Sequence, residues 1–377
     1  MEKQIALSYG NARLPDYVRY RVPEIENTPY VAFGKSHYGT LLEGTLALAY
    51  GHTGLSIAAF MLPYEELPFH EDLLKGVSRI RAYWEHLAAC NENTYAGCAG
   101  IVASGWRRAK DPACRFGYGK IDALHGTSLT RLGLAESFET LHAPFLVLKG
   151  ETVDTLTDEE ILPLFSRPVL TDAAALEKLQ ERGFGRYLPV RAYPTDGRAY
   201  AELLPNGKRW QESFFSVGEA GTYRLEGECE PLGELCTSSS ESIGISAAVF
   251  SAGRARWAAF GYSLWDDLLS SAKRDQIVFA ADRICGGLPA YVPSARQVTC
   301  IPRVTAEGKT AAVTVVNIGI SPVQGLELIV NNPVGGHFVY EREGERCELT
   351  PVFSGGRVHL TLPDFVRGWD AATVFIL

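Results

Sequence analysis

The feature that most restricts the fold of this chain is an apolar run followed by a long amphipathic helix pattern. Residues 53–62 are almost wholly apolar, as in a parallel strand that is buried on both faces. Within 72–91, apolar side chains recur every three or four residues, which predicts a helix with one buried stripe. The stripe consists of Leu73, Val77, Ile80, Trp84 and Leu87. A strand and a helix are also predicted just before this pair, at 17–26 and 40–50, so the two β-α units fit either part of an α/β barrel or an open doubly wound sheet.

Two β-α units cannot bury this much apolar surface by themselves. The run at 53–62 and the stripe along 72–91 must therefore pack on the middle of the chain or on another chain, or remain exposed as an aggregation-prone surface. Rapid proteolysis within 1–95, with the rest resistant, would indicate that these units are the unsupported remainder of a barrel.

The alternation of strands and helices continues to about residue 285. Strands are predicted at 99–104, 145–150, 168–171 and 256–262, and helices at 129–141, 173–182 and 265–285. The sequence Thr157-Asp-Glu-Glu160 is a capping box that starts a further helix. This rhythm is typical of a flavodoxin-like α/β domain, although the order of elements within 185–255 stays open.

The character of the sequence changes after Pro289. From residue 297 onward, short β-rich runs alternate with Gly, Pro and Asn turns every eight to twelve residues. Such spacing predicts a small antiparallel β-sandwich.

Composition and charge limit the class of protein. The chain has 377 residues, of which 46% are hydrophobic and 21% charged, so it is a folded chain of two or three domains. Its net charge of -8 and its lack of any basic run argue against a nucleic-acid surface. The expected partners are small neutral molecules or other protein chains.

The cysteines and the amino terminus predict neither a metal site nor a membrane segment. The eight cysteines form no Cys-x-x-Cys pair and lack the histidine spacing of a zinc site, so we expect reduced packing residues, with no metal and no cofactor. The first twenty residues contain no signal-peptide core, and no apolar run is long enough to span a bilayer. A cytoplasmic location follows as the expectation, although a missing amino-terminal part could hide a targeting signal.

Two carboxylates at the end of the first predicted strand are the main candidates for a site. Alternation along a strand places Glu24 and Glu26 on the same face. A carboxylate at the carboxyl end of a barrel strand is the usual position of a catalytic group, and a retaining glycosidase needs one as its nucleophile. The alternative is that both side chains pair with Arg21, with Lys35 or with backbone N–H groups.

Other motifs give weaker signals. The pair Gly117-Tyr-Gly119 lacks the third glycine of a dinucleotide fingerprint and is interpreted as a turn. Asp172 lies at a strand-to-helix corner, where α/β enzymes place a nucleophile, but capping of the following helix is favoured over catalysis there. The sequence contains no Gly-x-Ser-x-Gly elbow, Walker loop or His-Glu-x-x-His motif.

The sequence Glu26-Asn27-Thr28-Pro29 resembles the strand end that carries the nucleophile in the β-galactosidases of glycoside hydrolase family 42. Similarity to that family continues through 156–185, and Arg303 and the segment 362–369 resemble its last module. The resemblance implies an α/β chain in three parts: the carboxyl-terminal fragment of a (β/α)8 barrel at 1–95, a class I glutamine amidotransferase-like trimerisation domain at 96–293, and a β-sandwich at 294–377.

The resemblance also implies a catalytic function for which one of the two carboxylates is missing from this chain. Glu26 takes the nucleophile position of a retaining β-galactosidase-like glycoside hydrolase, with Glu24 only as a supporting neighbour. The acid/base glutamate of the family lies on an earlier barrel strand, which residues 1–20 cannot supply, so the chain by itself is expected to be catalytically incomplete. The middle segment lacks the Gly-x-Cys-x-Gly nucleophile of true amidotransferases, so we do not expect that activity.

Three functions stay open on the sequence. The first is a glycoside hydrolase-related protein that acts on a β-linked sugar. The second is a non-catalytic oligomerisation or carbohydrate-binding module, whose middle domain makes the contacts of a homo-oligomer. The third and weakest is a small-molecule enzyme that uses the topological switch point of the middle domain.

Overall fold

The computed structural model describes residues 2–12, 14–15, 17–26, 35–58, 67–103, 128–196, 199–205, 209–210, 222–264, 270–294, 296–364 and 367–377. The chain divides into two compact units. The first unit contains residues 1–98, 133–143 and 289–377, and the second contains 99–132 and 144–288. The boundaries expected near residues 95 and 293 stay predictions.

In the described amino-terminal part of the first unit, helix α1 is followed by three strands and two helices in alternation. The elements are α1 (Glu2–Asn11), β1 (Glu24–Glu26), α2 (His37–Ala49), β2 (Ser56–Ala58), α3 (Glu71–Cys90) and β3 (Thr94–Ala96). Strands β1 and β2 are parallel, with Ile25 opposite Ile57. The two predicted helices are confirmed, whereas both predicted strands are shorter than expected among the described residues.

The second unit is built on a sheet with a parallel part. Strands β4 (Ala99–Ile101), β6 (Phe145–Leu148), β7 (Val169–Asp172) and β14 (Ala255–Phe260) pair in this order, all parallel. Its helices are α4 (Gly150–Val153), α5 (Asp158–Ile161), α6 (Ala173–Glu181) and α7 (Ser271–Cys285). The predicted capping box at the start of α5 is confirmed, because Thr157 and Glu160 bond each other's backbone N–H groups.

The segment that the sequence left unordered is antiparallel. It contains β8 (Val190–Pro194), β9 (Ala201–Leu203), β10 (Arg209–Trp210), β11 (Tyr223–Gly227), β12 (Glu230–Cys236) and β13 (Ser242–Ala252). These strands extend the sheet beyond β14, to which β13 pairs in antiparallel fashion. Irregular register between β12 and β13 explains why no simple alternation is visible in the sequence.

One predicted helix is wrong. Residues 129–141 form a short 3₁₀ turn at Ser128–Thr130 and then the two-residue strand β5 (Glu136–Ser137). Gly133 adopts a φ of 102°, which ends any helix at that point. Leu129, Leu132 and Leu134 are buried in a packed irregular segment, whereas Leu141 is exposed, so these leucines do not mark one face of a helix.

The carboxyl-terminal part of the first unit forms two antiparallel sheets. One contains β15 (Ala290–Tyr291), β18 (Glu327–Val330), β21 (Val352–Ser354) and β22 (Arg357–Thr361). The other contains β16 (Val298–Thr305), β17 (Thr310–Asn317), β19 (Phe338–Arg342), β20 (Glu345–Leu349) and β23 (Ala371–Ile376), together with β3. Side chains from both sheets, including Leu328 and Phe338, share one apolar core.

The apolar stripe of α3 packs on α2 and on this second sheet. Leu73, Ile80, Trp84 and Leu87 form one cluster with Leu41 and Leu48 of α2 and with Ala312 and Phe375 of the sheet. Tyr83 adds a hydrogen bond of 2.8 Å between its hydroxyl and that of Thr373. The expectation that the stripe packs on the middle of the chain or on another chain, or stays exposed, is therefore wrong. The last strand of the same chain covers it.

Two further observations concern the cysteines and the helices of the described residues. The seven described cysteines are free thiols, and Cys98, Cys236 and Cys300 are buried, while Cys114 lies outside the described residues. No helix among the described residues has the length and apolar character needed to cross a membrane.

Candidate functional site

Glu24 and Glu26 lie on the same face of β1, as predicted. Ile25 between them is 1% exposed and points into the protein, so the two carboxylates point the other way, and both are exposed. Glu26 is the last residue of β1, and residues 27–34, which carry the rest of the family-like motif, lie outside the described residues. The catalytic role of either glutamate stays a prediction.

The alternative in which Glu26 pairs with Lys35 applies only to the backbone carbonyl of Glu26. Lys35 donates a hydrogen bond of 3.0 Å to the backbone carbonyl of Glu26, and its ammonium pairs with the Glu43 carboxylate. Within the described part of the chain, neither Glu24 nor Glu26 forms an ion pair through its own carboxylate. Glu26 therefore places an exposed carboxylate, without an ion-pair partner among the described residues, at the carboxyl end of a parallel strand.

Asp172 caps a helix, as the sequence favours. It is buried between β7 and α6, and its Oδ1 accepts a hydrogen bond of 2.8 Å from the Ala175 N–H. Its Oδ2 accepts a longer one of 3.4 Å from the Gly150 N–H. Both oxygens therefore serve backbone donors at helix starts, and the cap interpretation is confirmed.

A buried polar network in the second unit is absent from the sequence-based predictions. Lys273 of α7 and Glu202 of β9 are both fully buried, with 2.5 Å between Lys273 Nζ and Glu202 Oε2. The network also contains Ser246, Tyr262 and Gln276. Lys273 lies on the same face of α7 as Ile277 and Ile284, where the helix pattern would place an apolar residue.

Every oxygen of the Glu202 carboxylate in this network is bonded. Oε1 accepts hydrogen bonds from Ser246 Oγ at 2.5 Å and from Gln276 Nε2 at 2.8 Å. Oε2 accepts from the Tyr262 hydroxyl at 2.9 Å as well as from Lys273. A carboxylate with all its acceptor sites used by fixed donors, and no exposed atom, holds the sheet and helix together and has no access to a substrate.

The described residues offer no metal centre. No group of three or more His, Cys, Asp or Glu side chains among them is arranged to hold a metal ion.

Comparisons with known proteins reveal similarity at the level of fold. No family model matches the chain, and no curated protein matches its sequence. Among solved structures, α-L-fucosidase isoenzyme 2 from Paenibacillus thiaminolyticus is similar with a TM-score of 0.60 at 13% identity, over 95% of this chain and 60% of the fucosidase.

Two β-galactosidases are similar as well. For Gan42B, a GH42 β-galactosidase from G. stearothermophilus, the TM-score is 0.55 at 10% identity, over 98% of this chain and 56% of that one. For the β-galactosidase from Bacillus circulans sp. alkalophilus it is 0.52 at 9% identity, over 93% and 55%. The chain has a mixed α/β fold similar to that of glycoside hydrolases and spans somewhat more than half the length of these proteins. At such identities the similarity concerns the fold alone.

Proposed function

We propose that this chain is the carboxyl-terminal part of a retaining, β-galactosidase-like glycoside hydrolase. The elements β1, α2, β2 and α3 are the end of its (β/α)8 barrel. The parallel sheet of the second unit is the flavodoxin-like, amidotransferase-like trimerisation domain, and the two antiparallel sheets are the terminal sandwich. The fold similarity to two β-galactosidases over nearly all of this chain supports this assignment.

The placement of Glu26 carries the catalytic part of the proposal. Glu26 is the last residue of a parallel strand, and its carboxylate is exposed. The other face of the strand is buried, since Ile25 points into the protein. A retaining mechanism needs a second carboxyl group about 5–5.5 Å from the nucleophile, on the other side of the glycosidic bond. Glu24 lies beside Glu26 on the same strand, so the acid/base would come from barrel strands outside this chain. The substrate is a β-linked neutral sugar, and no cofactor or metal takes part.

Replacement of Glu26 tests this assignment. The chain should be assayed on a panel of aryl β-glycosides both alone and extended by any barrel strands encoded upstream in its reading frame. We expect hydrolysis only by the extended protein, and we expect Glu26→Gln to reduce it to background because no glycosyl-enzyme intermediate can form. Glu24→Gln, the matched control on the same face, should retain most of the activity. A folded, extended protein that is inactive on the whole panel, or an active Glu26→Gln variant, would exclude the proposal.

A second candidate is a non-catalytic module that binds carbohydrate or another copy of the chain. The observation that favours it is a pair of aromatic side chains at the surface of the first unit: Tyr17 is 82% exposed and Tyr20 is 84% exposed. Exposed tyrosines present a flat apolar face with a polar tip, which suits stacking on a sugar ring or on a partner surface.

Replacing both tyrosines distinguishes the binding module from the hydrolase. If the module interpretation is correct, the double variant Tyr17→Ser, Tyr20→Ser should lose affinity for galactose-containing oligosaccharides or dissociate to a monomer by light scattering. Its hydrolytic activity, if the extended protein has any, should not change. A wild-type chain that is a monomer without sugar affinity would rule this candidate out.

A further inference from the structure

A cavity of about 340 Å³ in the first unit has two arginines in its wall. It lies where the segment that precedes β1, the carboxyl ends of α2 and α3, and strands β3 and β16 meet. Arg21 comes from the segment before β1, and Arg303 comes from β16. The volume falls within the range of small-molecule pockets, which is roughly 300–1,000 Å³.

Arg303 is a buried cation that is only partly used by the protein. It is 2% exposed, and its Nε and Nη2 bind Thr94, with distances of 3.0 and 2.9 Å to Oγ1. Its Nη1 forms no hydrogen bond with a described residue and lies against Gly51, where an added Cβ would be 2.9 Å from it. No described carboxylate pairs with this guanidinium. Burial, and to a lesser degree the charge of Arg21, lowers the pKa of Arg303 to about 10, so it remains a cation at neutral pH.

Arg21 brings a second positive charge to the same cavity. Two hydrogen bonds with Thr53 fix its backbone. The Arg21 N–H donates to the Thr53 hydroxyl at 2.8 Å, and the Thr53 N–H donates to the Arg21 carbonyl at 2.9 Å. Its side-chain Nε is buried without a partner in the part of the chain that the structure describes. Among the described residues, no carboxylate forms an ion pair with either guanidinium. A buried cation of this kind is stabilised when an anion binds next to it.

Neutral groups and one carboxylate complete the wall. Asn91 is held by hydrogen bonds from its Nδ2 to the carbonyls of Leu48 at 2.8 Å and His52 at 2.7 Å. Its Oδ1 is buried and accepts no hydrogen bond from a described residue. Ser137 Oγ is likewise buried without a partner among the described residues. The Glu139 carboxylate already accepts from the Leu141 and His142 amides, at 2.7 and 3.2 Å through Oε1.

We propose that this cavity binds a small molecule that carries an oxyanion, either a carboxylate or a phosphate, next to a hydroxyl group. Arg303 Nη1 and the Arg21 guanidinium supply charged N–H donors for the oxygens of such a group. The hydroxyl group supplies the donor that Asn91 Oδ1 lacks. Arg21 precedes β1 and Gly51 precedes β2, so the cavity is at the amino ends of these strands, whereas Glu26 is at the carboxyl end of β1. The proposal therefore does not depend on the function of Glu26.

Binding to the wild-type chain is measured by calorimetry and thermal unfolding at constant ionic strength. The probes are inorganic phosphate, glucuronate and, as the neutral counterpart, glucose. We expect saturable binding and a rise in Tm with phosphate, glucuronate or both, and neither effect with glucose. Binding of phosphate alone identifies a phosphoryl group, and binding of glucuronate alone identifies a sugar acid. No saturable binding of either anion, or equal binding of glucose, would overturn the proposal.

A matched pair of variants locates the site. Arg21 is half-buried and Arg19 in the same segment is exposed, so both positions tolerate replacement by glutamine without loss of the fold. Arg21→Gln should weaken anion binding about tenfold or more, since a hydrogen bond to a charged group is lost. Arg19→Gln should leave binding unchanged. Equal weakening by both variants would indicate general attraction of anions to the surface and would also overturn the proposal.

Discussion

Replacing Lys273 with methionine is expected to lower the free energy of unfolding by about 3–5 kcal/mol. The ammonium of Lys273 is fully buried and bonds the equally buried Glu202 carboxylate and Gln276 Oε1, both at 2.5 Å. Methionine fills a similar volume but removes the positive charge, so the negative charge of Glu202 is left in the core without the cation that balances it. The measurement is chemical denaturation followed by circular dichroism.

Two further variants show whether the ion pair is the cause. The double variant Glu202→Leu, Lys273→Met removes both charges, so it should lose clearly less stability than the two single variants together. Lys75→Met provides a matched control, because Lys75 is 60% exposed and, in the part of the chain that the structure describes, pairs with Glu71 one turn away on α3. It should be as stable as the wild type. A Lys273→Met chain that unfolds like the wild type would show that the network contributes little.

This network illustrates what the sequence could not provide. Glu202 is 71 residues from Lys273 and 60 from Tyr262, and the three come from a short strand, a helix and a loop. Each of them alone fits a surface residue, and only the three-dimensional arrangement shows that they are buried together. The same holds for Arg21 and Arg303, which meet in one cavity although they come from opposite ends of the chain.

Periodic elements, in contrast, could be predicted. The stripe along α3, the short buried strands β6 and β7 and the caps at Thr157 and Asp172 follow from local spacing and side-chain chemistry. The common face of Glu24 and Glu26 follows from strand alternation alone. The predicted helix at 129–141 was wrong because the spacing of its leucines fits a helical stripe equally well. The sequence does not show that Gly133 adopts a positive φ and ends the helical pattern.

The partner of the α3 stripe could not be predicted, because strand β23 is hydrophobic on both faces. Ala372, Val374 and Ile376 face the core between the two carboxyl-terminal sheets, while Phe375 faces α3. A strand of this kind indicates burial on both sides but does not say which element lies on each. The structure assigns one side to a sheet and the other to the amino-terminal helices.

Replacing Trp84 with alanine is the second large change, with an expected loss of about 3–5 kcal/mol. Trp84 is 8% exposed, and its Nε1 donates a hydrogen bond of 2.9 Å to the Thr45 hydroxyl on α2. The indole lies so close to Gly44 that a Cβ there would be 2.7 Å from Cζ2. Removal of the ring leaves a cavity between α2, α3 and the sheet, and it also removes the donor for Thr45.

Limited proteolysis separates this local effect from a general loss of stability. Trp84→Ala should be cut first within residues 1–95, whereas the wild-type chain should resist there, because the sheet that contains β23 covers α3. Leu74→Ala, on the exposed side of the same helix, should behave like the wild type. If the wild-type chain itself were cut rapidly within 1–95, the packing of α3 on the sheet would not hold in solution. Since α2 also packs on β1, the position of Glu26 depends on this contact, and a loosened α2–α3 pair would displace the proposed nucleophile without any change to its chemistry.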